Sequence, residues 1–354
     1  MKKSDYKLLG VMSGTSLDGI DVAVVEFSFH EKINYKILKA ETIQYTPYWK
    51  KKLSEAINFS EADLQELNLE YTSYLAEVLN NFIEKNKVEG LDAICSHGHT
   101  IKHEPQKRYT LQIGNYRQLA ELTGHTVVCD FRVQDVELGG QGAPLVPIGD
   151  RLLFPEFDFC LNLGGFANIS TEVNNQRIAY DICAVNTVLN FYAQKLDMEY
   201  DEGGKIAASG EFKEELFNEL NRLSFYSEKP PKSLGMEWVN SEVFPLLKQY
   251  EDHIPSLIHT YSKHVAFQIS EVVKYSEGVK VLVTGGGAFN DFLIDELKKI
   301  SNAEFVLPSE ALINFKEALI FAFLGALRLR GENNVLKSVT GAEKDHSSGR
   351  IYNP

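Results

Sequence analysis

The sequence predicts a mixed α/β chain made of two similar lobes, and three features point there. Two apolar runs around a polar glycine turn open the chain. The same order of strand, glycine turn, strand and strand returns from Phe159, and helical spacing fills much of what lies between. A length of 354 residues fits about two domains, each with room for its own core.

The chain is organised around Leu8 to Glu26, LLGVMSGTSLDGIDVAVVE. Leu8 to Met12 and Ile20 to Val25 have the β-branched, apolar character of strands. The turn Ser13-Gly14-Thr15-Ser16-Leu17-Asp18-Gly19 joins them, and its Asp-Gly pair is expected to supply the positive φ of a tight hairpin. Gly14 and Gly19 let backbone approach a ligand closely, and successive N–H groups in such a turn form an anion-binding concavity. Asp18 and Asp21 suit a hydrated divalent cation. A phosphate-gripping hairpin is one reading and an ordinary surface hairpin the other; the recurrence of the design favours the first. No Gly-Lys-Ser/Thr follows, so this is not a Walker loop.

Composition narrows the function classes. Hydrophobic residues make up 44% and charged residues 24%, ordinary for a soluble globular protein. A formal net charge of −13 argues against a nucleic-acid or anionic-membrane surface. The apolar run before Ser13 is too short for a signal peptide, and no run reaches the length of a membrane span. Cys95, Cys129, Cys160 and Cys183 form no CxxC pair and suggest a reducing compartment, with the cytoplasm as the default.

In order, Tyr35 to Tyr45 reads as the third strand of the opening meander, ended by Pro47. Trp49 to Lys87 carries apolar residues three and four apart, from Leu64 to Phe82, and reads as helical. Leu91 to Cys95 reads as a buried strand ending on Ser96-His97-Gly98-His99-Thr100, where open α/β sheets place ligands. Asn115 to Thr123 reads as a helix and Thr126 to Cys129 as a strand. Asp135 to Pro144 has the glycines and polar side chains of a cleft-lining loop or hinge. Phe159 to Leu163, Gly164-Gly165, Phe166 to Thr171 and Gln176 to Tyr180 then repeat the opening meander in organisation, giving two lobes that each contribute a phosphate hairpin to a shared cleft.

Asp181 is placed at the end of that third strand, before a helix over Ala184 to Leu196. A helix N-terminus favours the ionised carboxylate, so Asp181 is expected to be charged and able to accept a proton. The same position also suits a plain helix cap. Tyr200 to Gly210 reads as a glycine-bearing loop. Pro230-Pro231-Lys232-Ser233 reads as a rigid turn whose cation faces either a substrate anion or solvent. Ile254 to Tyr275 reads as a helix. Val279 to Val283 runs into Thr284-Gly285-Gly286-Gly287-Ala288-Phe289-Asn290 and a helix from Asp291 to Ile300, a strand–glycine–helix arrangement suited to adenosine or phosphate. Lys316 to Arg330 reads as a helix with Glu317 near its start, and Val335 to Pro354 as a short tail.

Six stretches together, GVMSGTSLDGIDVAVVE, SHGHTIKHEP with TLQIGN, TVVCDFRVQDVELGGQGAPLVP, LNLGGFANIS, PPKSLG and VLVTGGGAFN, occur in the order of the anhydro-N-acetylmuramic acid kinases. The chain resembles that family from about residue 8 to about residue 342. The resemblance implies a two-lobed, actin-like ATPase (ribonuclease H-like) fold with a central cleft. It expects one lobe from 1–131 plus 335–354 and the other from 132–334. It implies an ATP- and Mg²⁺-dependent kinase of cell-wall recycling, which opens the 1,6-anhydro ring with water and phosphorylates O6. The product is N-acetylmuramic acid 6-phosphate. Relatives so implied are dimeric.

Carried over position by position, the resemblance assigns Gly14, Thr15, Ser16, Leu17, Asp18, Gly19, Ile20 and Asp21 to the ATP phosphates, with Gly164, Gly165 and Asn168 as the second hairpin. Gly285, Gly286, Gly287 and Asn290 fall on the adenosine side. Asp181 matches the base that activates water; His97, Arg132, Asp135, Gly140 and Glu317 match sugar-binding positions. No protein metal site is expected, Mg²⁺ being held through the ATP phosphates with Asp18 as its one candidate carboxylate. Two departures stand out. The family writes Asp-Thr-Gly-Pro-Gly-Asn where this chain has Asp181-Ile182-Cys183-Ala184-Val185-Asn186, and it has Gln where His99 stands, which leaves His97, His99 and His103 in a ligand-like spacing. Two alternatives remain at this level: a kinase of another sugar, and a nucleotide- or sugar-binding sensor without turnover.

Overall fold

The computed structural model describes residues 3–14, 16–274 and 278–354. The chain divides into two units, Met1–Phe154 with Phe315–Pro354, and Pro155–Asn314. The division falls at 154/155 and 314/315 rather than at 131/132 and 334/335. Hydrogen bonding explains part of the difference: Asp135 accepts from the Thr340 hydroxyl at 2.7 Å, and Lys316 pairs with Asp150 at 2.7 Å. Both segments that bracket the expected boundaries are therefore tied into the first unit.

The first unit contains β1 (Asp5–Ser13), β2 (Gly19–Phe29), β3 (Ile33–Gln44), β4 (Ala93–Glu104), β5 (Tyr109–Ile113) and β6 (Val127–Cys129). β1, β2 and β3 form the antiparallel meander, while β4 joins β1 in parallel and β6 joins β4 in parallel. Leu8, Leu9 and Val22 to Val25 are buried on both faces, which is why β1 and β2 read as nearly continuous apolar runs. One face is covered by a helix over Glu61–Lys85, whose Leu64, Leu67, Tyr71, Leu75, Leu79 and Phe82 are buried. Ser60 caps it, its hydroxyl accepting from the Asp63 N–H at 3.3 Å. The expected single helical stretch is two helices, Pro47–Glu55 and Glu61–Lys85.

A helix over Glu310–Leu329 lies against the same sheet and has a kink at Phe315, where the unit boundary falls. Its approach is set by glycine at both partners. A Cβ on Gly10 of β1 would stand 1.9 Å from the Ala318 carbonyl oxygen, and one on Gly325 would stand 2.1 Å from Cys95 Sγ. The segment read as a short tail carries regular structure within this unit: Lys337–Thr340 is helical, and Arg350–Tyr352 pairs antiparallel with β6. Polar groups hold it there. The Asn334 amide donates to the Leu324 and Ser348 carbonyls, and the Ser348 hydroxyl donates to the Phe131 carbonyl at 2.6 Å.

The second unit contains β7 (Phe159–Leu163), β8 (Phe166–Val173), β9 (Gln176–Ala184), β10 (Lys280–Thr284) and β11 (Glu304–Val306). β7, β8 and β9 form an antiparallel meander, β10 joins β7 in parallel and β11 joins β10 in parallel. Both sheets thus carry the same topology: a central first strand, a meander on one side and two later parallel strands on the other. The expected repeat is present: each unit carries a mixed α/β sheet built on the same meander and parallel-strand order. The core of the second unit packs Leu161, Leu163, Val188, Tyr192, Tyr261, Val265 and Leu293 together. The expected helix over Ile254 to Tyr275 spans Ile254–Val273; Tyr275 lies outside the described residues.

Candidate active site

In the first unit the hairpin between β1 and β2 differs from the sequence reading in one physical detail. The positive φ falls on Leu17 (φ 61), not on the Asp-Gly pair. Gly19 lies within β2, and a Cβ there would stand 2.6 Å from the Ile43 carbonyl oxygen of β3. Gly14 is open, with only the Ser16 hydroxyl within 3.4 Å of a Cβ position. Ser16 and Asp18 are exposed, Gly14 and Leu17 half-buried, and Gly19 and Ile20 buried in the sheet. Thr15 lies outside the described residues. Among the described residues of the turn, Gly14 and Ser16 to Asp18 are therefore the accessible ones. Asp21 is half-buried; burial pushes its carboxyl above the usual range, opposed by the Thr42 hydroxyl, which donates at 2.6 Å, and reinforced by Asp18.

The hairpin is anchored by a buried relay that the sequence did not reveal. Ser13 Oγ lies 2.5 Å from the Tyr45 hydroxyl and 2.7 Å from His99 Nδ1, and Tyr45 lies 2.5 Å from the Tyr71 hydroxyl. Burial pushes His99 down to about 4, so it is neutral at physiological pH, and pushes Tyr45 up to about 12. These partners are separated by 26 to 86 residues, so no local pattern signals them.

The predicted sugar-binding residues also belong to this unit, and they separate into two groups. Ser96 to Thr100 lie inside β4, not beyond a strand end as expected, and β4 buries His97. Its Nδ1 bonds the Gly98 carbonyl at 2.8 Å, and its Nε2 accepts from Arg132 Nε at 2.8 Å. Asp135 is completely enclosed, in a short helix over Val133–Glu137 that replaces the first part of the expected loop. It accepts from the Gly142 N–H at 2.6 Å and from Thr340. Gly140 is buried over it, where a Cβ would stand 2.2 Å from Asp135 Oδ2. The polar groups of His97 and Asp135 are thus bonded inside the unit, and Gly140 packs directly against Asp135. Arg132 and Glu317 keep access to solvent. Burial pushes Arg132 down to about 10, with Glu317 and Asp135 pulling it back up. Desolvation by the protein packed around it pushes the Glu317 carboxyl above the usual range; Arg132 lowers it, Asp21 raises it further and Lys316 lowers it.

His103 Nδ1 bonds the Thr110 hydroxyl at 3.0 Å. His97, His99 and His103 each have such a partner, and among the described residues no three His, Cys, Asp or Glu side chains gather as a metal site.

In the second unit Asp181 sits inside β9, and the following helix begins only at Asn186, so the expected helix-terminus stabilisation is absent. Burial instead pushes its carboxyl up, with the Leu234 N–H, donating at 2.8 Å to Oδ2, opposing that shift. Strand register puts Asn162, Asn168 and Asp181 opposite one another on β7, β8 and β9. Residues so paired share a sheet face, and all three reach solvent. Asn162 was missed by sequence reasoning; the signal was its place in LNLGG, two residues before the turn. Gly164 and Gly165 accept from the backbone N–H groups of Asn186, Val185 and Thr187 at 3.3, 2.8 and 3.2 Å.

Gly285 takes φ 83, and a Cβ there would stand 2.6 Å from Asn162 Oδ1. Gly286 is exposed and Gly287 packs on Leu163. Asn290 is buried as a helix cap, its Oδ1 accepting from the Leu293 N–H at 3.0 Å. Lys232 is half-buried: its Nζ lies 4.2 Å from the Phe225 ring centroid and donates to the Phe225 carbonyl, with Glu228 as a nearby anion.

The family model for anhydro-N-acetylmuramic acid kinase matches residues 6–354. This chain belongs to the anhydro-N-acetylmuramic acid kinase family. It is 32% identical to the kinase of that name from Mannheimia succiniciproducens over 99% of this chain and 100% of the relative. The kinase of Pseudomonas syringae pv. tomato is 34% identical over 98% and 99%, and that of Bacillus cereus 32% identical over 98% and 99%.

Proposed function

We propose that this chain uses ATP to phosphorylate 1,6-anhydro-N-acetylmuramic acid at O6 while water opens the anhydro ring, giving N-acetylmuramic acid 6-phosphate and ADP in peptidoglycan recycling. The observation that carries the reading is the family match across residues 6–354. The residues fit it. Gly14 offers a ligand bare backbone and Ser16 an exposed hydroxyl, which suits phosphate. Asp18 is the exposed carboxylate there and would meet a hydrated Mg²⁺, which when bound neutralises phosphate charge. Gly164, Gly165 and Asn168 provide the second phosphate contact, and Gly285 to Gly287 the adenosine side.

Asp181 would accept the proton of the attacking water. Burial makes its carboxylate a stronger base than an exposed one, and the Leu234 N–H fixes one oxygen so that the other can face water. Arg132 and Glu317 would hold the sugar, steadied by His97 and Asp135 behind them. A cytoplasmic homodimer is part of the proposal; the reducing-compartment cysteine usage supports the location.

The test compares ADP release by purified protein supplied with Mg²⁺, ATP and either anhydro-N-acetylmuramic acid or plain N-acetylmuramic acid. Turnover restricted to the anhydro-sugar is the expected result. Turnover on a different sugar alone would point to another kinase, and none on any sugar by folded protein to a sensor.

A further inference from the structure

The turn after β10 has a face that neither the core nor the helix cap uses. Gly286–Phe289 is one turn of 3₁₀ helix, and with three residues per turn its positions 286 and 289 lie one above the other. The two between them point inward: a Cβ on Gly287 would stand 2.8 Å from Leu163 Cβ, and Ala288 is buried. Outward, Gly286 presents bare backbone, with only Asn186 Nδ2, at 3.8 Å, near its Cβ position. Phe289, which three-residue periodicity puts on the same side of the turn as Gly286, is 42% exposed. A flat apolar ring beside a backbone stretch with no Cβ is the shape complement of a planar aromatic heterocycle. Its face can stack on the phenyl ring while its edge lies against the glycine.

We propose that Phe289 is the stacking platform for the adenine of ATP, and that it sets the preference for a purine over a pyrimidine base. The inference rests on the ATP-dependent reading above and adds a side chain to the glycines on the adenosine side. Base–aromatic stacking of this kind changes affinity by about 5- to 140-fold on alanine substitution. A purine offers more stacking area than a pyrimidine, so the loss is larger for ADP than for UDP.

The experiment is calorimetric titration of the full-length chain with ADP and with UDP. Phe289→Ala is expected to weaken ADP binding by at least about fivefold and to shrink the ADP-to-UDP ratio. Phe289→Tyr keeps the ring and is expected to stay within about twofold of the parent. Phe212→Ala, at another exposed phenylalanine (43%), is expected to change nothing. Melting curves on each variant establish folding, which the exposure of Phe289 should spare. Unchanged ADP affinity in Phe289→Ala, or equal losses in folded Phe289→Ala and Phe289→Tyr, overturns the inference and leaves the kinase reading standing. Absence of ADP binding by the parent chain overturns both.

Discussion

Lys316 and Asp150 form an ion pair at 2.7 Å with side chains only 6% and 4% exposed, and the cost of breaking it follows from that burial. Lys316→Met keeps the length of the apolar stem and removes the charge, so the buried Asp150 carboxylate is left without this cation. Breaking such a pair from one side costs about 3–5 kcal/mol, because the remaining charge stays desolvated. The cation also lies 5.7 Å from the Phe154 ring centroid, and Lys316→Met would forfeit that cation–π attraction too. In a unit of about 200 residues each kcal/mol moves Tm by about 2–4 °C, so the expected drop is about 6–20 °C. Thermal and urea melts by circular dichroism measure it; with two units in the chain, the transition that shifts is the one to compare. Replacing both partners, Lys316→Met with Asp150→Leu, should recover most of the loss, since an apolar pair of similar volume removes the stranded charge. A single-variant loss under about 1 kcal/mol would show the pair behaving as an exposed bridge, and strictly additive losses in the double variant would refute the coupling. There is a functional corollary. Lys316 lowers the Glu317 carboxyl, so Lys316→Met should move Glu317 further up and shift any acid limb it contributes to the pH–rate profile towards neutrality.

Asp181→Asn should cut kcat by about 10²–10⁴ while leaving ADP affinity unchanged, as loss of a general base does; a variant of near-parent activity would remove Asp181 from that role. It should also melt at or above the parent at pH 7. The folded carboxyl holds its proton to higher pH than the ordinary 3.8, so folding stability falls as pH rises from about 4 through the raised folded value, and asparagine abolishes that loss. The gap between variant and parent should close below pH about 4. At the hairpin, Gly14→Ala meets open space and should melt like the parent, whereas Gly19→Ala drives a methyl into the Ile43 carbonyl and should cost about 1–3 kcal/mol. Equal melting temperatures for the two would contradict the packing of β2 on β3.

What the sequence disclosed and what it concealed follows from the range of the interactions. The meanders were legible because strand character and glycine turns are local, and Phe159–Leu163 and Asp291–Ile300 fall where periodicity put them. The closing segment was not, because polar residues bury it: Asn334, Thr340, His346 and Ser348 lie inside through hydrogen bonds, and hydropathy reads such residues as surface. Lys316 left a clue in plain view, since it occupies the apolar stripe of Leu312, Ile313, Leu319 and Ile320 at helical spacing. Asp181 was expected just past a strand end at a helix N-terminus, whereas it lies inside β9, and the direction of its carboxyl shift was read with the wrong sign. A helix dipole acts only within a turn of the helix end, and β9 continues for three residues beyond Asp181.

The segment Ile182 to Val185, where the family writes Thr-Gly-Pro-Gly, is the departure with the clearest physical account. All four side chains are buried in the second unit's core, and the Tyr261 hydroxyl donates to the Ala184 carbonyl at 2.9 Å. The contacts that face the glycine turn are made by backbone: Val185, Asn186 and Thr187 donate their N–H groups to Gly164 and Gly165. Main-chain donors do not depend on the side chain, so in this chain apolar packing holds the segment while backbone N–H groups form the wall beside the glycine turn. Val185→Gly should therefore lose about 1.5–3 kcal/mol of burial and about 0.5–1 kcal/mol to backbone entropy. Its kcat and KM, measured well below its melting temperature, should stay within about threefold of the parent, because a hydrogen-bonded backbone wall is retained. A tenfold or greater fall in kcat with unchanged stability would show the reverse: that the valine side chain shapes the chemistry around Asp181 and that the substitution of the family's glycines altered the reaction itself.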